Sequence, residues 1–250
     1  TATLSDIENG YPDLDQTRLD IGAKQRMSRF PWKGQFSPDL IDYLLESFCK
    51  KPSTVLDPFC GSGTVLYESI RKGHSAIGVE VNPAAWMLSA ISGYSKFDVS
   101  RRSAARKEYY SLLPSVLRSG DDLFGSLEKR TQWCDDFVGL LLAVTQLLAN
   151  GNGQECSQRS LGKAVKSVSA VLDEIEQGAG RSRISLADAR QIDVETGSVD
   201  CIITSPPYIN VFNYHQNYRP TAEALDWKPL EAARSEIGAN RKHRQNRILT

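Results

Sequence analysis

The sequence is poor in the features that assign a protein by composition. Positive charge is not in excess: 30 Lys and Arg balance 30 Asp and Glu, giving zero formal charge and a pI of about 6.8. That excludes a molecule-wide basic footprint for nucleic acid, so any such contact must use a local patch or a partner. Cysteine is scarce and odd in number. Five residues at irregular spacing make no disulfide framework and fit a reducing, cytoplasmic compartment. Only three histidines occur, His74, His215 and His243, and neither they nor the cysteines are spaced as metal ligands. Long apolar runs are also missing. The longest, Phe137 to Ala149, is broken by Thr145 and Gln146 and is too short to cross a bilayer. No signal peptide is recognisable, so the expectation is a soluble protein with no membrane partner.

What remains is an ordinary globular composition, 40% hydrophobic and 24% charged over 250 residues. That is chain enough for one large domain, or for one domain carrying an inserted subdomain. Residues 1–29 read as an irregular arm. Ser37-Pro38-Asp39 sets up a helix start, with Ser37 as cap and Pro38 at the first helical position. Leu40, Ile41, Leu44, Leu45 and Phe48 then follow at helical spacing, and the helix ends near Cys49. Ser53 to Asp57 is a short β run, followed by a glycine-rich turn and a helix from Val65 to Lys72 that Gly73 closes. Ala76 to Glu80 is a second strand, and Asn82-Pro83 opens a helix running to about Ile91. Ile184 to Asp188 and Val199 to Thr204 read as third and fourth strands.

Alternating β and α segments indicate an α/β fold with a doubly wound, mainly parallel sheet. Three domain segments follow: 1–95 as arm and cofactor-binding half, 96–182 as a helical insertion, and 183–250 as a second motif segment with a basic tail. The insertion shows helical patterns over Arg101 to Arg118, Asp121 to Ala149 and Ser160 to Gln177, with Gly151-Asn152-Gly153 as a loop. One more helix is expected over Thr221 to Ile237, before Arg241-Lys242-His243-Arg244-Gln245-Asn246-Arg247, which could meet a phosphate backbone or be a solvated face. No strand pattern follows Tyr208. Four strands leave a sheet edge open, so the expectation is an incomplete fold, finished by a second chain or a missing C-terminal region.

Two motifs carry chemistry. In Asp57-Pro58-Phe59-Cys60-Gly61-Ser62-Gly63-Thr64 the glycines let a ligand approach bare backbone, and the helix start offers unpaired N–H groups. The turn is not the full dinucleotide fingerprint and lacks the Lys-Ser/Thr ending of a phosphate loop, so a pyrophosphate cofactor is disfavoured. Glu80, at the end of the second strand, is placed to accept from ribose hydroxyls, and Asp188 ends the third strand where it could accept from an adenine amino group. The competing readings are a turn that only packs strand on helix, a solvated strand end and a capping aspartate. The second motif, Thr204-Ser205-Pro206-Pro207-Tyr208, follows an apolar strand. Its prolines remove backbone donors and leave carbonyl acceptors. Together with Ser205 Oγ these could hold the two N–H bonds of an exocyclic base amine, whose lone pair is otherwise delocalised into its ring. Tyr208 could stack on the extruded base, a contact of roughly 1–3 kcal/mol against a flipping cost of a few kcal/mol.

These residues resemble the motifs of the amino-methyltransferases that use S-adenosylmethionine, above all bacterial DNA methyltransferases of the cytosine-N4 and adenine-N6 kind found in restriction-modification systems. The resemblance covers about 28–95 and 183–220. It implies a Rossmann-like methyltransferase fold, with Asp57, Pro58, Phe59, Gly61, Ser62, Gly63, Glu80, Asn82 and Asp188 binding S-adenosylmethionine and Ser205, Pro206, Pro207 and Tyr208 catalytic. Serine at 205 is the form usual in the cytosine-N4 group, where adenine-N6 enzymes usually carry aspartate or asparagine. Phe30 to Pro38 is similar to the segment that closes over the methionine end of the cofactor, but has Phe30 where the family often has His and Gln35 where it often has Lys. Lys33 and Ser37 are the alternatives for meeting the carboxylate. Cys60 and Cys201 do not follow a proline, unlike the nucleophile of carbon-5 cytosine methyltransferases. The expectation is therefore transfer of a methyl group to cytosine N4 in double-stranded DNA. The rival readings are an adenine-N6 or RNA base methyltransferase, and a noncatalytic cofactor- or DNA-binding subunit of a modification complex.

Overall fold

The computed structural model describes residues 14–19, 28–49, 52–118, 136–208 and 213–234. Four strands, β1 (Thr54–Asp57), β2 (Ser75–Glu80), β3 (Arg181–Leu186) and β4 (Cys201–Ile202), form one sheet in the order β3-β2-β1-β4, and every neighbouring pair is parallel. The chain winds outward from β1 to β3 and then returns to the other side of β1. The order therefore reverses between β1 and β4, which is where open α/β sheets leave a crevice beyond their carboxyl ends.

Local signals explain most elements. Short α1 (Gln16–Leu19) precedes α2 (Pro38–Phe48), which starts at Pro38 as its sequence dictates, although Ser37 makes no capping bond and its buried Oγ has no hydrogen-bond partner among the described residues. Helix α3 (Thr64–Lys72) is closed by Gly73 in the left-handed conformation, φ 82°. Asn82 caps α4 (Pro83–Ala90) by accepting from Ala84 N at 3.0 Å and Ala85 N at 3.3 Å. A 3-10 helix (Ile91–Lys96) leads to α5 (Val99–Arg118), and α6 (Phe137–Asn150) and α7 (Gln158–Gln177) complete the connection to β3. After β4 come a 3-10 turn (Tyr214–Gln216), α8 (Arg219–Ala224) and α9 (Pro229–Ala232).

The core explains the order of burial. Helix α3 is buried from Thr64 to Ile70 because it is wedged between neighbours. Val65 joins Ile41, Leu45, Val55 and Ile203 in one cluster, while Tyr67 and Ile70 enter the main core. That core is continuous from α3 and α4 through the helices of the 96–182 segment, with Tyr94, Tyr109, Leu141, Leu147, Val168 and Leu172 in it. Burying each such aliphatic side chain stabilises the layer by roughly 1.5–3 kcal/mol.

Four elements depart from the sequence pattern. Strand β3 begins at Arg181 rather than Ile184, because its register against β2, from Ser75↔Arg181 to Glu80↔Leu186, recruits polar residues that propensity alone assigns to a loop. Strand β4 covers only Cys201–Ile202, although Asp200 N and Ile203 N still donate to Thr54 O and Leu56 O. Helix α6 starts at Phe137, where Asp136 accepts from Val138 N, and the earlier part of the expected 121–149 helix overlaps residues outside those described. The helix expected over 221–237 is split at Asp226, whose φ is 61°, with Pro229 starting the second piece; residues 235–237 and the basic cluster also lie outside.

Candidate functional site

All four strands point their carboxyl ends at one concave cleft. Asp57 ends β1 and Glu80 ends β2. Ala187 N donates to Glu80 O at 2.9 Å, prolonging the β2–β3 ladder by one rung and bringing Asp188 to the same rim. Ser205 follows β4 by three residues and lines the cleft with Pro207. Of the residues singled out in the sequence, Asp57, Pro58, Phe59, Gly61, Ser62, Glu80, Asp188, Ser205 and Pro207 come together here. Gly63, Asn82, Pro206 and Tyr208 do not line it.

The glycine turn is held by Glu80. Its Oε2 accepts from Gly61 N and its Oε1 from Asn82 N, both at 2.8 Å, so one carboxylate clamps the turn to the start of α4. Gly61 has φ 53°, and a Cβ there would lie 3.4 Å from the Trp32 ring. Gly63, φ 92°, serves packing: an added Cβ would come within 2.9 Å of Ser89 Cβ. Asn82 is 2% exposed and is occupied by its cap and by donation to Tyr214 O at 3.3 Å.

The N-terminal wall comes from Trp32 to Phe36. Gln35 Oε1 accepts from Ser62 Oγ at 2.7 Å, and Phe30 is buried edge-on against Tyr67. Trp32 stacks on Tyr218 with ring centroids 6.3 Å apart, and Tyr218 Oη donates to Pro31 O at 3.1 Å. Lys33 lines the cleft; Ser37 does not.

At the second motif Ser205 lines the cleft, and its Oγ makes no hydrogen bond among the described residues. Tyr208 is 50% exposed, and its N–H donates weakly, at 3.4 Å, to the hydroxyl of Tyr214, which does line the cleft. Of Phe212, Tyr214 and Tyr218, the aromatic residues after the motif whose sequence position suits either a base pocket or core packing, Tyr214 lines the cleft, Tyr218 stacks on Trp32 instead, and Phe212 lies outside the described residues. One contact had no sequence signal: Thr204 Oγ1 donates to Asp57 Oδ1 at 2.7 Å across 147 residues of chain.

The cleft is rich in acceptors. Asp57, Glu80 and Asp188 give it three carboxylates, and Lys33 is the one cationic side chain among the described residues lining it. Burial pushes the Asp57 carboxyl up to about 7, although the Thr204 hydroxyl and Phe59 N–H hold it lower than burial alone would. Burial, then the Glu80 and Asp57 charges, push the Cys60 thiol well up, so it is no nucleophile. Asp188 accepts from Arg190 Nε at 2.9 Å, and that arginine is exposed. No cluster suited to a metal ion and no helix long and apolar enough to cross a membrane occur among the described residues.

A family model described as DNA methylase, for the N6/N4 kind, matches residues 12–89, which hold the glycine turn and Glu80. Type II methyltransferase M.AvaI of Nostoc sp. is 24% identical over an alignment covering 78% of this chain and 53% of that protein. Type II methyltransferase M.MjaII of Methanocaldococcus jannaschii is 31% identical over 71 residues, covering 28% of this chain and 13% of that one. The chain is thus similar to the DNA amino-methyltransferases of the N4/N6 kind, over residues 12–89 by the family model and over 78% of its length by the M.AvaI alignment. It spans about half the length of M.AvaI, and a smaller share of M.MjaII is matched. The rRNA methyltransferase aviRa from Streptomyces viridochromogenes aligns over 91% of this chain and 80% of its own at 18% identity, with a TM-score of 0.36, too low to establish a shared fold.

The residues present fit the S-adenosylmethionine that this similarity implies. A row of carboxylates between Phe36, Phe59, Val65 and Val81 suits a ligand with hydroxyl and amino donors and a positive charge, and repels a polyphosphate. Trp32 packs closely over the bare backbone of Gly61, so a side chain at 61 would crowd the indole at the cleft wall.

Proposed function

We propose that this chain binds S-adenosylmethionine in the carboxyl-edge cleft and methylates the exocyclic N4 amine of cytosine in double-stranded DNA. The observation that carries the reading is that the carboxylate row and the Ser205 turn face one cleft, so a donor site and an acceptor site share walls. When bound, S-adenosylmethionine supplies a methyl group activated by a sulfonium. In this reading Glu80 accepts from the ribose hydroxyls while its backbone bonds hold it still. Asp188 accepts from the adenine amino group, which competes with exposed Arg190 for the carboxylate. Asp57, ionised, lowers the potential around a cationic ligand.

Ser205 Oγ and the carbonyl of Pro207, the two motif residues that line the cleft, orient the amine through its N–H bonds and draw it toward a tetrahedral nitrogen, raising its nucleophilicity. Tyr208, half exposed at the rim, provides the stacking face for the flipped base. No covalent bond between base and chain is required. Serine rather than aspartate or asparagine at 205 favours cytosine over adenine. Ile202, 61% exposed on edge strand β4, is where further strands from the same polypeptide or a second chain would continue the sheet.

The test is incubation of the full-length protein with methyl-labelled S-adenosylmethionine and duplex DNA, followed by nucleoside mass spectrometry. Labelled N4-methylcytosine is expected. Label confined to N6-methyladenine would overturn the base assignment, and label on RNA alone would select an RNA base methyltransferase. Cofactor binding without transfer to either would favour the noncatalytic subunit.

A further inference from the structure

The β1–β4 ladder crosses the place where the strand order reverses. Its backbone rungs run from Asp200 N to Thr54 O at 2.9 Å through Ile203 N to Leu56 O at 3.1 Å, and then stop. Beyond that point the strands part to form the cleft. The next residue on each strand is Thr204 on one side and Asp57 on the other, and their side chains supply the last tie, 2.7 Å from Thr204 Oγ1 to Asp57 Oδ1. At the opposite end of the same ladder a side chain also closes the pairing, where Thr54 N donates to Asp200 Oδ2 at 2.7 Å.

Asp57 Oδ1 carries a second load, for it also accepts from Phe59 N at 3.1 Å, which begins the glycine turn. One buried oxygen therefore fastens the first turn of the cofactor motif and the residue preceding Ser205. Asp57 Oδ2 has no hydrogen-bond partner among the described residues, and the side chain lines the cleft. Thr204 makes no other side-chain hydrogen bond among the described residues, so its hydroxyl is committed to this tie.

We propose that Thr204 is a positioning residue: its hydroxyl, through Asp57, sets the distance between the Ser205 turn and the glycine turn and so aligns the two halves of the reaction. The proposal rests on the reading of the cleft given under Proposed function. A hydroxyl is needed at 204 because the carboxylate oxygen it meets offers only acceptor capacity once ionised, and a β-branched side chain is stiff enough to hold the approach. The charged and titratable groups that line the cleft with Asp57 among the described residues are Lys33, Cys60, Glu80, Asp188 and Tyr214.

The tie is tested in the full-length protein with T204V, which keeps the shape and removes the hydroxyl, and T204S, which keeps the hydroxyl. Three readouts separate positioning from folding: calorimetric S-adenosylmethionine affinity, kcat for methyl transfer, and the pH titration of the Asp57 carboxyl followed by carbon NMR. The expected result for T204V is a kcat lowered roughly 10- to 100-fold, the consequence of losing a hydrogen bond to a charged group, with cofactor affinity changed less than about threefold. Its Asp57 titration should move to higher pH, and T204S should restore both. Wild-type kcat in T204V, equal damage in both variants, or an unmoved Asp57 titration would overturn the proposal. If T204V does not fold, T204A with T204S supports the same comparison. A wild type that neither binds cofactor nor transfers methyl refutes the proposed function instead, while the Asp57 titration still decides whether the tie exists.

Discussion

Replacing Asp57 by Asn tests the electrostatics of the cleft through stability alone. The side chain is 2% exposed, and burial pushes its carboxyl from the ordinary 3.8 to about 7. Between those values the folded protein holds a proton that the unfolded chain has released, so stability falls as pH rises through the window and stays low above it. At about 1.36 kcal/mol for each pH unit separating the two values, the full penalty is about 4 kcal/mol, of which roughly 2 to 3 kcal/mol develops between pH 5 and pH 8. The D57N amide keeps an acceptor for Thr204 and Phe59 but cannot ionise. Urea denaturation of wild type and D57N at several pH values therefore should give a difference curve, with the variant gaining on the wild type as pH rises. Cofactor affinity should move the opposite way, weakening in D57N above pH 7, because a buried negative charge kept at a cost in stability is useful only if something positive binds beside it. Parallel pH profiles for the two proteins would refute the buried ionisable Asp57.

Other substitutions follow from the same geometry. Gly63→Ala forces a side chain into φ 92° against Ser89 and should lower stability by about 1–3 kcal/mol in the same denaturation assay. Ser205→Ala removes an uncommitted hydroxyl, so it should leave the unfolding midpoint within about 0.5 kcal/mol while lowering kcat at least tenfold, as measured by label transfer.

The cofactor half was legible because its signals are local. A glycine pair between a β run and an apolar helix, then Asn82-Pro83 at a helix start, specify turn and cap within a few residues, and both lie where the pattern puts them. Strand limits were less legible. Arg181, Ser182 and Arg183 have no strand pattern of their own and pair because β2 offers a complete ladder. The Thr204–Asp57 bond and the Trp32–Tyr218 stack were hidden for a different reason: each depends on segments far apart in sequence, and nothing near either partner encodes it. Gly63 and Asn82 carry the motif's pattern yet are occupied by packing and capping, which spacing alone cannot separate from ligand contact.

The cleft's assignment is tested most directly by calorimetric titration of S-adenosylmethionine into the wild type and Glu80→Ala. Saturable one-to-one binding that weakens at least tenfold in E80A is the expected result, since an acceptor pair for hydroxyl groups is removed. No heat of binding at millimolar cofactor, or equal affinity in both proteins, would contradict it.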